Sequence, residues 1–259
     1  ICEGAVKIDD LKEFSKENKI KSLALCDTSN LCGALEFAEK ISKSGTQPII
    51  GTQINIKYAD TIGLLPLFAL NEDGYKKIIE LSSTSFINND EFSDPHIDFE
   101  KLLVSNQGVA LFSGTIYGLF GQLFNKGKFN EIKDLYLELK SKYKDRFYIE
   151  IQRHDDENEN DFERFNLNQS SISEIPIIAT NEVFYISKDM HEAHDALICI
   201  KNKTYVNENN RIKLSKHHYF KNSLEMAELF SDIPEALENN YNFPLRCSFK
   251  PLFSKPNFT

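Results

Sequence analysis

Residues 22–56 constrain the fold most, because this stretch reads as a strand, a helix and a second strand. A short apolar run opens it, and a longer apolar run from Pro48 closes it. Between the two runs, Leu31, Leu35 and Ala38 recur at helical spacing. A helix between two apolar strands is typical of a βαβ unit, so we expect the two strands to be parallel.

Two polar residues, Asp27 and Gln53, lie near the predicted carboxyl ends of these strands. Open and closed α/β sheets build their sites at that edge, which makes both residues candidates for function. Asp27 also opens the run 27–30, whose side chains are of the kind that cap helices. A capping role would explain Asp27 without any chemistry, so both interpretations stay open.

The rest of the chain alternates apolar strands with amphipathic helices about six times, which is typical of a parallel sheet or barrel. Pro66 interrupts a strand predicted over residues 64–70, and proline within a strand favours an edge or a bulge. Near the C terminus, a short helix over residues 223–230 is predicted to use Ser223 alone as its cap.

Composition fits a globular protein of 259 residues with a formal net charge of -9. An acidic domain is a poor nucleic-acid binder on electrostatics alone, although its net charge does not exclude a local basic patch. No apolar run reaches the roughly 20 residues that span a bilayer, and we predict no membrane association. The chain begins at Ile1 without Met and ends at Thr259 without a closing helix, so we expect a piece of a longer polypeptide.

The five cysteines are scattered and form no C-x-x-C pair. This pattern is typical of reduced, buried thiols in a cytosolic protein, and we expect a cytoplasmic location.

Several short stretches, in order along the chain, resemble motifs of the PHP (polymerase and histidinol phosphatase) domain family. The matching form is the one found at the N terminus of bacterial replicative DNA polymerase III alpha subunits. The stretches are residues 23–27 with 30–34, 48–51, 71–75, 148–154, 179–183 and 193–197, followed by 219–220 and 227–237. Any one of them is weak, but their shared order covers essentially the whole chain.

The resemblance implies an α/β fold, a distorted seven-stranded β/α barrel of the PHP type whose first strand is truncated in this chain. Residues 1–200 would form the barrel. Residues 201–259 would form a C-terminal extension that packs on the barrel and leads toward a palm domain outside this chain. Any metal site would lie at the carboxyl ends of the strands.

Family members with an intact site bind a cluster of metal ions through His, Asp and Glu side chains, and the cluster activates water for phosphoester hydrolysis. Carried over to this chain, the resemblance assigns vestigial metal-site positions to Glu3, Asp27, Gln53, His154 and Glu182. Gln53 stands where the family has Glu, and a neutral amide is a poorer cation ligand than a carboxylate.

Three further positions depart from the family pattern, because Thr28, Leu64 and Phe184 stand where the family has His. We therefore predict a degenerate site with no catalytic residue and no resident metal cofactor. If one weak ion binds, Asp27, His154 and Glu182 would hold it. We expect Leu64 and Phe184 to fill the space, or hydrogen bonds to join Asp27, Gln53 and His154 across it.

The resemblance implies an N-terminal module of a replicative DNA polymerase, acting as a scaffold and docking surface. Its partners would be the proofreading exonuclease subunit and other replicase subunits. Nucleotidyl transfer, its Mg²⁺ and most DNA contacts would belong to the rest of the polymerase. The alternative is a metal-dependent phosphoesterase or 3′–5′ exonuclease of the same family, which the lost ligands disfavour.

For the remaining histidines and the acidic run 155–157, we prefer a structural interpretation to a functional one. His191 and His194 have a spacing that can bind metal on a helix, but we expect His194 to pack against the sheet and His191 to be exposed. The neighbours His217 and His218 should point to different sides of the chain. The acidic run is predicted to be a solvated face.

Overall fold

The computed structural model describes residues 4–87, 93–104 and 106–253, in which strands and helices alternate. The strands are β1 (Ser22–Thr28), β2 (Gln47–Tyr58), β3 (Thr61–Ala69), β4 (Ile97–Asp98), β5 (Val109–Phe112), β6 (Phe147–Ile151) and β7 (Ile177–Ala179). The helices are α1 (Ile8–Glu17), α2 (Ala34–Lys43), α3 (Glu72–Ile87), α4 (Phe99–Val104), α5 (Leu119–Asn125), α6 (Phe129–Tyr143), α7 (Glu159–Ser173), α8 (His191–Asn202), α9 (Ser223–Leu229) and α10 (Pro234–Asn242). Short 3₁₀ helices cover Lys144–Arg146, Lys188–Met190 and Phe243–Arg246.

The strands form one curled seven-stranded sheet in the order β1-β2-β3-β5-β6-β7, with β4 paired to β2. β1 and β2 are parallel, with Cys26 opposite Gly51 and Thr28 opposite Gln53, which confirms the predicted βαβ unit. β5, β6 and β7 are also parallel to one another. The α/β class and the seven-stranded curled sheet are thus confirmed. Within the described residues β7 does not pair with β1.

The expectation of a wholly parallel sheet is wrong at β3, which runs antiparallel to both β2 and β5. β2 and β3 form a hairpin in which Tyr58 pairs with Thr61 across Ala59 and Asp60. A two-residue connection can join only antiparallel strands, since a parallel pair needs a long crossover. Ala59 has a φ of 51°, the left-handed conformation that such a tight turn requires.

Pro66 lies inside β3, opposite Gln53 of β2, rather than on an edge strand. β3 pairs with β5 only through Leu67–Ala69, so at Pro66 the strand has one partner instead of two. The missing N–H of proline is tolerated at such a position.

Alternate residues of the strands pack on opposite faces of the sheet. The outer face meets α3 to α7 and carries the larger core, to which Leu67, Leu111 and Ile149 belong. The inner face holds a separate, largely aromatic cluster. That inner cluster consists of Ile49, Phe68, Leu70, Ala110, Phe112, Tyr148, Ile178, Phe243 and Cys247.

The segment after residue 200 contributes to this inner cluster through Phe243. The Phe243 ring lies 5.1 Å from that of Phe112 and 5.7 Å from that of Tyr148, centroid to centroid. Gln47 Nε2 also donates hydrogen bonds to the carbonyls of Pro244 and Cys247, at 2.9 and 2.7 Å. The segment therefore packs against the strands, while a domain boundary at residue 200 stays a prediction.

The cap predicted at Ser223 is wrong, whereas capping by Asp27 stays a prediction. α2 begins after Gly33, and Asn30 Oδ1 accepts a hydrogen bond from the Cys32 N–H at 3.0 Å. α9 is capped by Asn222 rather than Ser223. Glu225 completes a reciprocal capping box, because its carboxylate accepts from the Asn222 N–H at 2.9 Å.

Four cysteines fall in the described part of the chain, and all four are free thiols. Cys199 and Cys247 are buried and Cys26 is half-buried, but Cys32 is exposed, so the expectation of burial fails there. Cys2 lies outside the described residues. No helix in residues 4–87, 93–104 or 106–253 has the length and apolar character to cross a bilayer.

Phe243→Ala should lower the free energy of unfolding by about 3–5 kcal/mol, because it removes a ring that is 5% exposed in the inner cluster. Leu245→Ala is the matched control, since this side chain of the same 3₁₀ helix is 78% exposed and its loss should cost under about 0.5 kcal/mol. Urea unfolding followed by circular dichroism measures both. Equal effects would show that Phe243 does not hold the segment to the sheet.

Candidate functional site

The inner face changes character along the strands, from aromatic at one end to polar at the carboxyl ends. Two residues beyond the buried Tyr148, Glu150 lies on the same face and is 6% exposed. Its carboxylate accepts hydrogen bonds from Gln152 Nε2 at 3.1 Å and from the Thr180 hydroxyl. Burial raises the pKa of Glu150 and also raises that of the neighbouring Cys26 thiol. These residues form a closed polar layer beneath the strand ends.

Above this layer lies a pocket of about 260 Å³. Its wall includes Thr28, Gln53, Leu64, Glu182 and Phe184. Gln53 Nε2 donates a hydrogen bond to Thr28 Oγ1 at 2.8 Å, so the amide turns toward its neighbour on β1. The expectation that Leu64 and Phe184 fill the space is wrong, because both side chains line an open pocket.

The vestigial positions assigned by resemblance are only partly brought together. Gln53 and Glu182 share the pocket wall. The Asp27 carboxylate lies beside Gly33 at the start of α2, where a Cβ atom built on Gly33 would be 3.4 Å from Asp27 Oδ2. A negative charge at a helix N terminus is favourable, which supports a structural role for Asp27. Glu3 lies outside the described residues.

His154 turns instead toward the C-terminal segment, where its ring stacks on His218. The two ring centroids are 4.1 Å apart and the ring planes differ by 4°. Both side chains are 1% exposed. His218 also contacts Glu182, with 4.0 Å between Nδ1 and Oε2. His218 therefore lies between His154 and Glu182, a residue of the pocket wall.

Two hydrogen bonds hold His154 in place. Its backbone N–H donates to Glu159 Oε2 at 2.7 Å, and Nε2 lies 3.1 Å from Asn181 Oδ1. The Asn181 amide is itself oriented, because Nδ2 donates to the Tyr219 carbonyl at 2.9 Å. Burial lowers the pKa of His154, an effect that the nearby Glu159 carboxylate opposes.

Asp156 lies beside His218, with 3.3 Å between Asp156 Oδ2 and His218 Nε2. The Asp156 side chain is only 6% exposed, so the prediction of a solvated acidic face is wrong at this residue. Asp155 fits that prediction, since its side chain is 80% exposed and lies 3.2 Å from His217 Nε2. Burial, with Asp156 nearby, raises the pKa of the Tyr117 hydroxyl to about 12.

The structure thus gathers a set of potential metal ligands that differs from the expected one. His154, Asp156 and His218 each offer a ligand atom, and these atoms lie within 4.8 Å of one another. Asp27 does not belong to this set, so the expected single-ion set of Asp27, His154 and Glu182 is not what the structure groups. The expectation of no metal therefore does not hold as stated, because three buried or half-buried residues can hold an ion.

Sequence reasoning missed His218 because it lies in the C-terminal segment, far along the chain from His154. Its neighbour Tyr219 forms an isolated bridge with Tyr185, which draws this part of the segment against the end of the sheet. The apolar Tyr219 and Phe220 that follow His218 are the feature that could have indicated burial.

The family's metal cluster does not fit the residues at the pocket. Gln53 is hydrogen-bonded to Thr28, and Leu64 and Phe184 present hydrocarbon to the space. A cluster of cations needs carboxylates and neutral imidazoles to offset its charge. No hydrolytic step through such a cluster follows from these side chains.

The H-x-x-H pair on α8 makes separate contacts. His194 is buried, and its ring stacks at 5.6 Å on that of Phe184. His191 Nε2 lies 3.2 Å from the Leu214 carbonyl, and this residue is half-buried rather than exposed. Both rings also contact the ring of Tyr185, at 6.1 Å for His191 and 5.2 Å for His194, as packing residues do.

One buried ammonium group adjoins the site. Lys221 Nζ donates a hydrogen bond to Asn181 Oδ1 at 2.8 Å and another to the His217 carbonyl. It also lies 4.7 Å from the centroid of the Tyr219 ring. Burial lowers the pKa of Lys221 to about 8.

The Lys221 pKa predicts a pH dependence of stability. Above about pH 8 the folded state loses this proton, while the unfolded chain keeps it up to the ordinary value of 10.5. The unfolded state then binds more protons, so the free energy of unfolding should rise with pH across this window. We expect a rise of about 1–2 kcal/mol between pH 7.5 and 9.5, allowing for partial solvation.

Lys221→Met should lack this rise, whereas Lys188→Met should keep it. Lys188 is the matched control, because its Nζ lies equally close to the Tyr219 ring but its side chain is 68% exposed. Urea unfolding across the pH range measures the effect. A rise that persists in Lys221→Met would assign it to another group.

Comparison with known proteins gives consistent matches. A family model described as PHP domain matches residues 1–154. The DNA polymerase III subunit alpha of Caulobacter vibrioides is 34% identical over 258 residues, covering 96% of this chain and 22% of that protein. The protein of the same name from Rickettsia felis is 37% identical over 248 residues, covering 95% of this chain and 20% of that protein.

The corresponding protein of Borreliella burgdorferi is 32% identical over 269 residues, covering 99% of this chain and 23% of that protein. The chain therefore spans about a fifth of the length of these relatives.

Proposed function

The chain belongs to the PHP domain family, and we propose that it is the N-terminal PHP module of a bacterial replicative DNA polymerase. In this proposal the module acts as a scaffold and as a docking surface for other replicase subunits. The relatives that support it are named DNA polymerase III subunit alpha and match nearly all of this chain.

The pocket at the strand ends is the observation that carries the scaffold role. The family's hydrolytic chemistry needs a cluster of metal ligands there, and this chain offers Thr28, Gln53, Leu64 and Phe184 instead. The Gln53 amide donates a hydrogen bond to Thr28 Oγ1 of β1. A module whose metal ligands are replaced by an amide and by hydrocarbon side chains keeps its fold and its surface. These are the two properties that a scaffold needs.

Polymerase chemistry would reside elsewhere in the polypeptide. We propose that nucleotidyl transfer, with its Mg²⁺, and most DNA contacts belong to segments outside this chain. The net charge of -9 supports this division, because an acidic module is poorly suited to hold phosphates. A cytoplasmic location is part of the same proposal.

A metal-dependent phosphoesterase or 3′–5′ exonuclease is the second candidate. The open pocket favours it, since space for a ligand persists at the strand ends. The departures from the family's ligand pattern at Thr28, Gln53, Leu64 and Phe184 weigh against it.

The hydrolysis of 3′ ends separates the two candidates. The complete polypeptide that carries this chain, supplied with zinc or manganese, should release nucleotides from single-stranded DNA only at the background rate. Asp27→Ala and Glu182→Gln should leave that rate unchanged within about twofold, because neither residue would hold a catalytic metal. Hydrolysis that Asp27→Ala abolishes would show an altered but working site.

The docking role predicts a defect in assembly. Removing residues 1–200 from the complete polypeptide should weaken its binding to the proofreading exonuclease subunit at least about tenfold, as expected when an interface is lost. Gln53→Ala in the full polypeptide is the control and should bind normally, because Gln53 lines the pocket, which is not the proposed interface. Unimpaired binding and primer extension by the shortened protein would exclude the scaffold role.

A further inference from the structure

We propose that His154, Asp156 and His218 bind one divalent transition-metal ion of the zinc class. The ion would tie the C-terminal segment to the end of β6. This site goes beyond the scaffold function and does not require it. It shares only His154 with the positions that the family resemblance assigns.

The three residues come from two separate parts of the fold. His154 and Asp156 lie in the loop between β6 and α7, and His218 lies between α8 and α9. Their ligand atoms are within 4.8 Å of one another, close enough for one ion to bind all three. A shared ion would therefore bridge a barrel loop and the C-terminal segment.

The unsatisfied nitrogen of His218 points to a ligand. Its Nε2 is buried and makes no hydrogen bond, although Asp156 Oδ2 is only 3.3 Å away. Leaving such a group without a partner costs roughly 1–3 kcal/mol. An imidazole nitrogen and a carboxylate oxygen at this separation, without hydrogen-bond geometry, can both bind one cation.

The charge around the two rings also favours a cation. Asp156, Glu159 and Glu182 place three carboxylates within 4.0 Å of the His154 and His218 rings. Lys221 is the ammonium group that the described contacts place nearest, and it hydrogen-bonds Asn181 rather than a carboxylate. Buried carboxylates are costly unless a positive charge offsets them.

The ligand chemistry selects the class of metal. Two imidazoles and one carboxylate are typical ligands for Zn²⁺ and related ions, whereas Mg²⁺ and Ca²⁺ prefer oxygen alone. Metal-binding histidines usually hydrogen-bond an outer partner through their second nitrogen. Asn181 Oδ1, 3.1 Å from His154 Nε2, supplies that partner, and the second nitrogen, Nδ1, lies 3.5 Å from Glu159 Oε1.

Binding requires one ring to turn. The lone pair of an imidazole lies in the ring plane, and the two planes are nearly parallel at 4.1 Å. One ion cannot lie in both planes, so either His154 or His218 must rotate about its Cβ–Cγ bond. Loss of the ring stack is therefore a structural mark of the occupied site.

The test uses the complete polypeptide, dialysed against chelator and then titrated with Zn²⁺ alone. The wild type should bind one equivalent more zinc than His218→Gln or Asp156→Asn, measured by elemental analysis. His217→Gln should bind as much zinc as the wild type, because His217 lies outside the triad. Its neighbour Asp155 is 80% exposed. Zinc should raise the melting temperature of the wild type and of His217→Gln, but not that of the two triad variants.

Substitution with Co²⁺ gives a readout that does not depend on stability. The wild type should show visible absorption bands of a site with imidazole ligands, and His218→Gln should lose them while its far-ultraviolet circular dichroism is unchanged. Equal zinc content in the wild type and both triad variants would overturn the proposal. Loss of zinc in Asp27→Ala, with retention in His218→Gln, would also overturn it by placing the ion at the family position.

Discussion

The structure depends on burial of both faces of one curled sheet. Because side chains alternate along each strand, the residues that face inward form a series of their own. At one end that series is aromatic, with Phe112 and Tyr148. At the other end the same alternation yields Glu150 and then the pocket residue Gln53. A single geometric rule thus separates a sealed interior from a polar rim.

Much of this arrangement was predictable from periodicity. The βαβ unit over residues 22–56 follows from two apolar runs and a helical repeat, and the register confirms it. The β2–β3 hairpin was not predictable in the same way, since Ala59-Asp60 lacks the Asn-Gly or Asp-Gly pattern of a tight turn. Both strands are apolar on two faces, which made them resemble parallel strands.

The site was harder to predict than the fold, because its members meet through tertiary packing. Gln53 and Glu182 line one pocket wall, but only Glu182 follows its strand, since Gln53 lies within β2, opposite the last residue of β1. His218 and Asp156 belong to irregular segments, where no repeat fixes which side chain turns inward. Burial of a histidine in such a segment is decided by its spatial neighbours, here His154 and Phe184, and these lie far away in sequence.

Phe243 gives the chain a particular order of assembly. Its ring completes the aromatic interior, yet it stands near the end of the described sequence. As the polypeptide leaves the ribosome, the inner face of the sheet must stay open to water until this residue emerges. Closure of the interior therefore waits until residue 243 has been synthesised, and a chain that stops short of it exposes Phe68 and Phe112 to cellular chaperones.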